Sequence, residues 1–257
     1  MNPDLAAGAV VWILGASTGI GRALALAMAA EGLTVVASAR RANLLDELAS
    51  QAPGPGRIVA WPVDASDTQA VCAAAAGIAD QVGTIDLAIY GAAAWTASKN
   101  EPITCDDFSA KYDVNVLGAV RMLEAVLPAM QARGRGHVAI IASVAGYRGL
   151  PRAATYGSSK AALIYLCESL RLTLAPKGIK VQVINPGFVD TPLTAQNDFP
   201  MPFLISAERA AAYCLRGLRR NGFEISFPKR FSYFLKFLSL LPYPLYFWLV
   251  GRTAGKT

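Results

Sequence analysis

Between residues 9 and 192, short unbroken apolar runs take turns with longer helix-forming stretches, and that rhythm leaves few folds open. The runs begin at Ala9-Val-Val-Trp-Ile-Leu, Leu33-Thr-Val-Val-Ala-Ser, Ile58-Val-Ala-Trp, Leu87-Ala-Ile-Tyr and His137-Val-Ala-Ile-Ile-Ala. Most are apolar at every position, with no polar/apolar alternation, as strands buried on both faces of a parallel sheet must be. Helix formers fill the gaps. They are Arg22 to Glu31, Asn43 to Gln51, an alanine-rich stretch to about Val82 that Ser66 or Asp67 can cap, and a long stretch from Thr104 to about Met130 opened by a capping-box-like Thr-Cys-Asp-Asp107. Parallel strands joined this way need right-handed crossovers with helices on both faces. The expected fold class is therefore α/β, a single doubly wound parallel sheet. Residues 1–228 read as one domain with a substrate lid at about 193–220, and 229–257 read as an apolar, basic extension.

The turns between these elements carry the chemistry. After the first strand comes Gly15-Ala-Ser-Thr-Gly19-Ile-Gly21, running straight into a helix. Glycines let backbone N–H groups approach phosphate oxygens, and a helix N-terminus adds partial positive charge. At the end of the second strand an acid would hold the ribose 2′-OH of NAD, whereas an arginine accommodates the 2′-phosphate of NADP. This chain has Ser38-Ala39-Arg40-Arg41 and no acid there. Arg40 is the expected phosphate ligand, with Ser38 or Arg41 assisting. Further on, Ser143 closes the fifth apolar run, and Tyr156 and Lys160 stand four residues apart at the start of a helical stretch. That spacing puts both on one helix face. A nearby ammonium favours the phenolate of a tyrosine that would otherwise be a poor acid–base group at neutral pH.

Composition excludes several alternatives. His137 is the sole histidine, so neither a histidine-based triad nor a multi-histidine metal site can be assembled, and its place at a strand start reads as structural. Cys72, Cys105, Cys167 and Cys214 lie far apart without metal-ligand spacing, and read as reduced, mostly buried thiols of a cytoplasmic protein. No metal is expected. Through Leu215 there are 16 basic and 17 acidic residues, a net of −1; from Arg216 on there are eight basic residues and one acid, a net of +7. The basicity thus belongs to an apolar tail, which suggests an acidic membrane surface and argues against nucleic acid.

Together these residues resemble the short-chain dehydrogenase/reductase family over about residues 8 to 192, and weakly again near 223–227. The Gly15/Gly19/Gly21 turn, Asp64, Asn115, Ser143, Tyr156, Lys160 and Asn185-Pro186-Gly187 carry the resemblance, as does the Ser143-to-Tyr156 spacing. It implies a Rossmann-like fold and hydride transfer between nicotinamide and a carbonyl or secondary alcohol. Tyr156 would then be the proton donor or acceptor at the substrate oxygen. Lys160 would lower the tyrosine pKa and bind the nicotinamide ribose, Ser143 would donate to the carbonyl oxygen, and Asn115 would hold a water of a proton relay. Cofactor contacts are implied at Gly15, Ser17, Thr18, Gly19, Ile20, Gly21, Asp64, Ala65, Gly91, Ala92, Pro186, Gly187, Val189 and Thr191, besides Tyr156, Lys160 and the arginines. Two departures stand out. Tyr90-Gly91-Ala92-Ala93 replaces the family's Asn-Asn-Ala-Gly, which puts local stability in question, and Leu14 stands where a threonine is usual.

NADP(H) is the expected cofactor, with NAD(H) second. The segment after Pro192 is expected to gate an apolar cleft through Phe199, Met201, Phe203 and Leu204, with Trp95 and Tyr147 on the same cleft; the same residues could instead be ordinary core. Phe231 to Val250 holds 15 apolar or aromatic residues out of 20, split by Pro242 and Pro244. It could lie at a membrane surface through residues 229–252, pack over the cleft, or form a subunit interface; a true span is disfavoured. The expected partners are a small apolar carbonyl or alcohol and a second copy of the chain as homo-oligomer. The expected location is cytoplasmic, with peripheral contact to the membrane face. Two readings compete: an NAD-linked alcohol or hydroxysteroid dehydrogenase, and a non-catalytic NADPH sensor or scaffold.

Overall fold

In a computed structural model, residues 5–95 and 104–254 are described. The extreme ends of both predicted units, 1–4 and 255–257, lie outside them. The strands are β1 (Val10–Leu14), β2 (Thr34–Ser38), β3 (Arg57–Ala60), β4 (Ile85–Tyr90), β5 (Gly136–Ile141), β6 (Ile179–Pro186) and β7 (Glu224–Phe227). They form one sheet in the order β3-β2-β1-β4-β5-β6-β7, parallel throughout. The order reverses between β1 and β4, which opens a crevice at the carboxyl ends of those strands.

Side chains of alternating parity separate the two layers. Val11, Ile13, Val35 and Ala37 pack with helices α1 (Gly19–Ala30), α2 (Ala42–Ser50) and α7 (Ala207–Leu218). Trp12, Leu14, Val36 and Tyr90 face the other way, against α3 (Thr68–Gln81), α5 (Gly118–Ala132) and α6 (Ala154–Leu174). Asp67 caps α3 by accepting from the Ala70 N–H, and Thr104 caps α4 (Cys105–Tyr112) through the Asp107 N–H. Of the cysteines, Cys167 and Cys214 are buried, Cys72 is partly so and Cys105 is exposed. His137 is fully buried, and that burial, with Lys180 nearby, pushes its pKa down to about 3, so it stays neutral.

The long helix read from Thr104 to Met130 is one helical run with a wide π turn at Asp113–Leu117 between α4 and α5. Such a turn frees carbonyls from the regular ladder. Tyr90 takes one of them: its hydroxyl donates to the Val114 carbonyl. Gly118 makes the room, since a Cβ there would sit 2.1 Å from the Tyr90 oxygen. Tyr90 therefore ties β4 to the helical run.

One boundary differs from the sequence reading. The helix opening at Ser206 is not part of a lid: α7 buries Ala210, Ala211, Cys214, Leu215 and Leu218 in the core shared with α1. Only residues 193–205 remain as a segment over the cleft. The extension folds as two short helices, α8 (Lys229–Leu240) and α9 (Tyr243–Ala254), separated at Leu241-Pro242. Their inner residues Phe231, Leu235, Leu238 and Tyr246 pack with Val144, Leu150 and Phe188 on the body. No helix among the described residues is long and apolar enough to cross a membrane.

Candidate active site

The crevice at the switch point is a cleft of about 280 Å³. Its floor is the β1–α1 turn. Gly15 has φ of +109°, and a Cβ there would meet the Ala92 nitrogen at 2.3 Å, while a Cβ at Gly21 would meet the Gly15 carbonyl oxygen at 2.1 Å. The turn is thus as tight as backbone allows. Thr18 starts α1 with no side-chain cap, so the helix's first N–H groups, at the cleft, keep their donor capacity. A glycine cradle with unclaimed donors at a helix N-terminus fits a dinucleotide's phosphates.

Every cofactor residue expected from the sequence lines this cleft except Ser38. Arg40 and Arg41 stand at its rim, and Arg41 Nη2 donates to Ser17 Oγ at 3.1 Å. Asp64 accepts from the Ser66 N–H at 2.9 Å and the Ser66 hydroxyl at 2.7 Å, which holds its carboxyl below the usual range, with Arg40 and Arg121 adding to the effect. Ser38 is fully buried on the opposite sheet face, where its hydroxyl accepts the Trp12 indole N–H at 2.9 Å. It shares the parity of Val36, so it cannot assist the phosphate.

At the other end of the cleft, Ser143, Tyr156 and Lys160 converge. Ser143 caps a short 3-10 turn, accepting from the Ala145 N–H at 3.1 Å and donating to the Pro186 carbonyl at 3.4 Å. Lys160 is 2% exposed; its Nζ donates to the Ile141 carbonyl at 3.0 Å and lies 5.5 Å from the centre of the Tyr156 ring. Burial pulls the Lys160 pKa down to about 8. Burial also pushes the Tyr156 phenol up to about 12, with the Ser143 hydroxyl drawing it partly back. The phenol is therefore a protonated donor at neutral pH, and the ammonium beside it is poised near its own titration. Asn115 is fully buried in the π turn and outside the cleft. Its amide accepts from the Ala94 N–H at 2.7 Å and donates to the Ala94 carbonyl at 3.1 Å and to Ser159 Oγ at 3.0 Å. It fixes the loop after β4, next to Trp95.

A second cavity of about 150 Å³ shares Ser143, Tyr156, Gly187, Leu193 and Thr194 with the first. Trp95 and Phe199 line it, and Trp95 packs edge-on against Tyr156 at 5.2 Å. Four expected residues do not, Met201 and Leu204 among them. Tyr147 turns away to donate to Glu224 Oε1 at 2.5 Å, and Phe203 is 54% exposed outside the cavity, beside Phe231. Leu150, Phe188, Phe231 and Leu235 line it instead. Phe231 and Leu235 come from α8, whose 231/235/238 spacing was masked by aromatic residues on its other face as well. Among the described residues no cluster could hold a metal ion.

A glycine-cradled cleft, a Ser/Tyr/Lys cluster at its end and an adjoining apolar cavity define a dinucleotide-dependent oxidoreductase. A family model described as short chain dehydrogenase matches residues 9–200. An uncharacterized oxidoreductase of Myxococcus xanthus is 37% identical over 236 residues, covering 91% of this chain and 93% of its own. The 17-beta-hydroxysteroid dehydrogenase type 1 of Mus musculus is 37% identical over 189 residues, 71% of this chain and 54% of that one. A short chain dehydrogenase from Burkholderia cenocepacia, solved in complex with NADP, superposes with a TM-score of 0.78 at 26% identity, covering 91% and 94%. The chain belongs to the short-chain dehydrogenase family. It is an oxidoreductase of CH–OH and C=O groups whose fold binds NAD(P)(H).

Proposed function

We infer that the chain is an NADP(H)-dependent oxidoreductase of apolar, lipid-like ketones or secondary alcohols. The observation that carries this is the shared wall: Tyr156 and Ser143 border both the nucleotide cleft and a cavity of Trp95, Leu150, Phe188, Phe199, Phe231 and Leu235. The lining favours substrates with apolar bulk next to the reacting carbon. The steroid dehydrogenase among the relatives is in keeping with such a substrate. The NADP preference is supported by Arg40 and Arg41 at the rim, with no carboxylate at the end of β2 to reject a 2′-phosphate. The NADP complex of the Burkholderia relative agrees with it.

Bound nicotinamide supplies or receives the hydride. Ser143 Oγ donates a hydrogen bond to the substrate oxygen and stabilises charge developing there. The Tyr156 hydroxyl passes its proton to that oxygen in reduction and takes it back in oxidation. Lys160, while protonated, favours the phenolate that proton loss leaves behind. Asn115 holds Ala94 in place, and through it the neighbouring Trp95 wall. The test is nucleotide oxidation by the purified full chain with ketones of rising apolar bulk, using NADPH and NADH in parallel. Efficiency rising with bulk, and higher with NADPH, is the expected result. Equal efficiency with NADH, or preference for the smallest polar ketones, would refute the reading.

A further inference from the structure

Helices α8 and α9 bury one side each and leave the other bare. On α8, Phe231, Leu235 and Leu238 turn inward while Tyr233, Phe234, Phe237 and Leu240 are 56–83% exposed. On α9, Tyr246 turns inward at 1% exposure while Tyr243, Phe247 and Trp248 are more than half exposed. The inner residues of both helices belong to one cluster on the body, so both bare sides face away from it. Arg148 fixes this arrangement. Its Nη1 donates to the carbonyls of Leu238 and Ser239 at 3.0 Å and of Leu241 at 2.6 Å, and its guanidinium lies 4.0 Å from the Tyr246 ring centre. The Lys236–Glu224 pair anchors α8 to β7 as well. A stack of exposed aromatics on an anchored frame is a surface made to meet something.

We propose that the outer face of α8–α9 docks on an anionic phospholipid surface. Residues 229–254 contain no carboxylate, and Lys229, Arg230 and Arg252 are exposed among the aromatics. That charge complements anionic headgroups, while the rings enter the headgroup–acyl boundary. A second copy fits less well. In a two-fold interface the same patch meets itself, and these bases would face one another with no acid on either helix to pair with them. Each helix has 12 residues and is about 18 Å long, short of the roughly 30 Å hydrocarbon core. The face therefore lies on the bilayer and does not cross it. Because Phe231 and Leu235 of α8 also line the apolar cavity, lipid and cavity contact opposite sides of one helix. Docking itself does not depend on the proposed reaction.

The test is co-sedimentation of the full chain with phosphatidylcholine vesicles, with and without phosphatidylglycerol, beside native mass determination. At least about tenfold stronger binding to the anionic vesicles is expected, lost at high salt. Trp248 emission should shift to the blue on binding. A Phe234→Ser/Phe237→Ser/Phe247→Ser variant, altered only at exposed positions, should stay in the supernatant and retain its melting temperature and NADPH affinity. Wild type that ignores anionic vesicles would overturn the proposal, as would a variant that still sediments with them. So would a wild-type dimer that the variant converts to monomer, since the face would then be a subunit interface.

Discussion

Lys160→Met should make the protein more stable and nearly inactive at once. The Lys160 ammonium is 2% exposed, and burial lowers its pKa from 10.5 to about 8. At about 1.4 kcal/mol per pH unit, holding that charge in the fold costs ~3 kcal/mol. Methionine removes the charge but leaves the Ile141 carbonyl without its donor, a loss of about 1–2 kcal/mol. The net gain of roughly 1–2 kcal/mol corresponds to a rise of about 3–6 °C in Tm for a chain this size. The pH dependence identifies the source. Below pH 8 both folded and unfolded states carry the proton, so the wild type bears the whole penalty. Between pH 8 and 10.5 the folded state releases the proton and the unfolded state keeps it, so wild-type stability rises relative to the variant. Above 10.5 both are neutral and the charge contributes nothing. Differential scanning calorimetry of both proteins at pH 7, 9 and 10.5 would measure the gap, and NADPH-dependent turnover at pH 7 should fall by about a hundredfold or more. A variant that melts lower at pH 7, or a gap that ignores pH, would refute the reasoning.

Arg40→Ala should weaken NADPH binding by about 10–100-fold, the worth of a charge-assisted contact, while moving NADH less than about twofold; fluorescence titration with each nucleotide would check it, and equal losses would contradict the assignment. Gly21→Ala should cost about 1–3 kcal/mol in chemical denaturation and sharply reduce nucleotide affinity, because its Cβ would lie 2.1 Å from the Gly15 oxygen. Phe199→Ala should raise KM about tenfold for bulky apolar ketones and little for small ones; an equal change for both would take Phe199 out of the substrate wall.

The architecture was legible where it rests on local periodicity. Unbroken apolar runs and alanine-rich stretches located the strands and helices, and the glycine turn and Tyr156/Lys160 pair needed no long-range information. Other features depended on partners distant in sequence. Ser38 sits at the informative end of β2, yet strand parity sends it to Trp12. Tyr147 follows the catalytic strand closely, but a bond to Glu224, 77 residues on, draws it away. The helix after Ser206 resembled a lid until its packing on α1 placed it in the body. In α8 the buried stripe was hidden because Tyr233, Phe234, Phe237 and Leu240 make the exposed side as apolar as the buried one.

The central claim is that Tyr156 delivers the proton at the junction of the two cavities. It is tested most directly by comparing wild type and Tyr156→Phe for NADPH oxidation with one bulky apolar ketone, alongside NADPH affinity for each. The account predicts a fall in kcat/KM of at least about a thousandfold, with NADPH affinity within about twofold because the nucleotide's phosphate cradle is untouched. A phenylalanine variant that keeps more than about a tenth of wild-type turnover would contradict it.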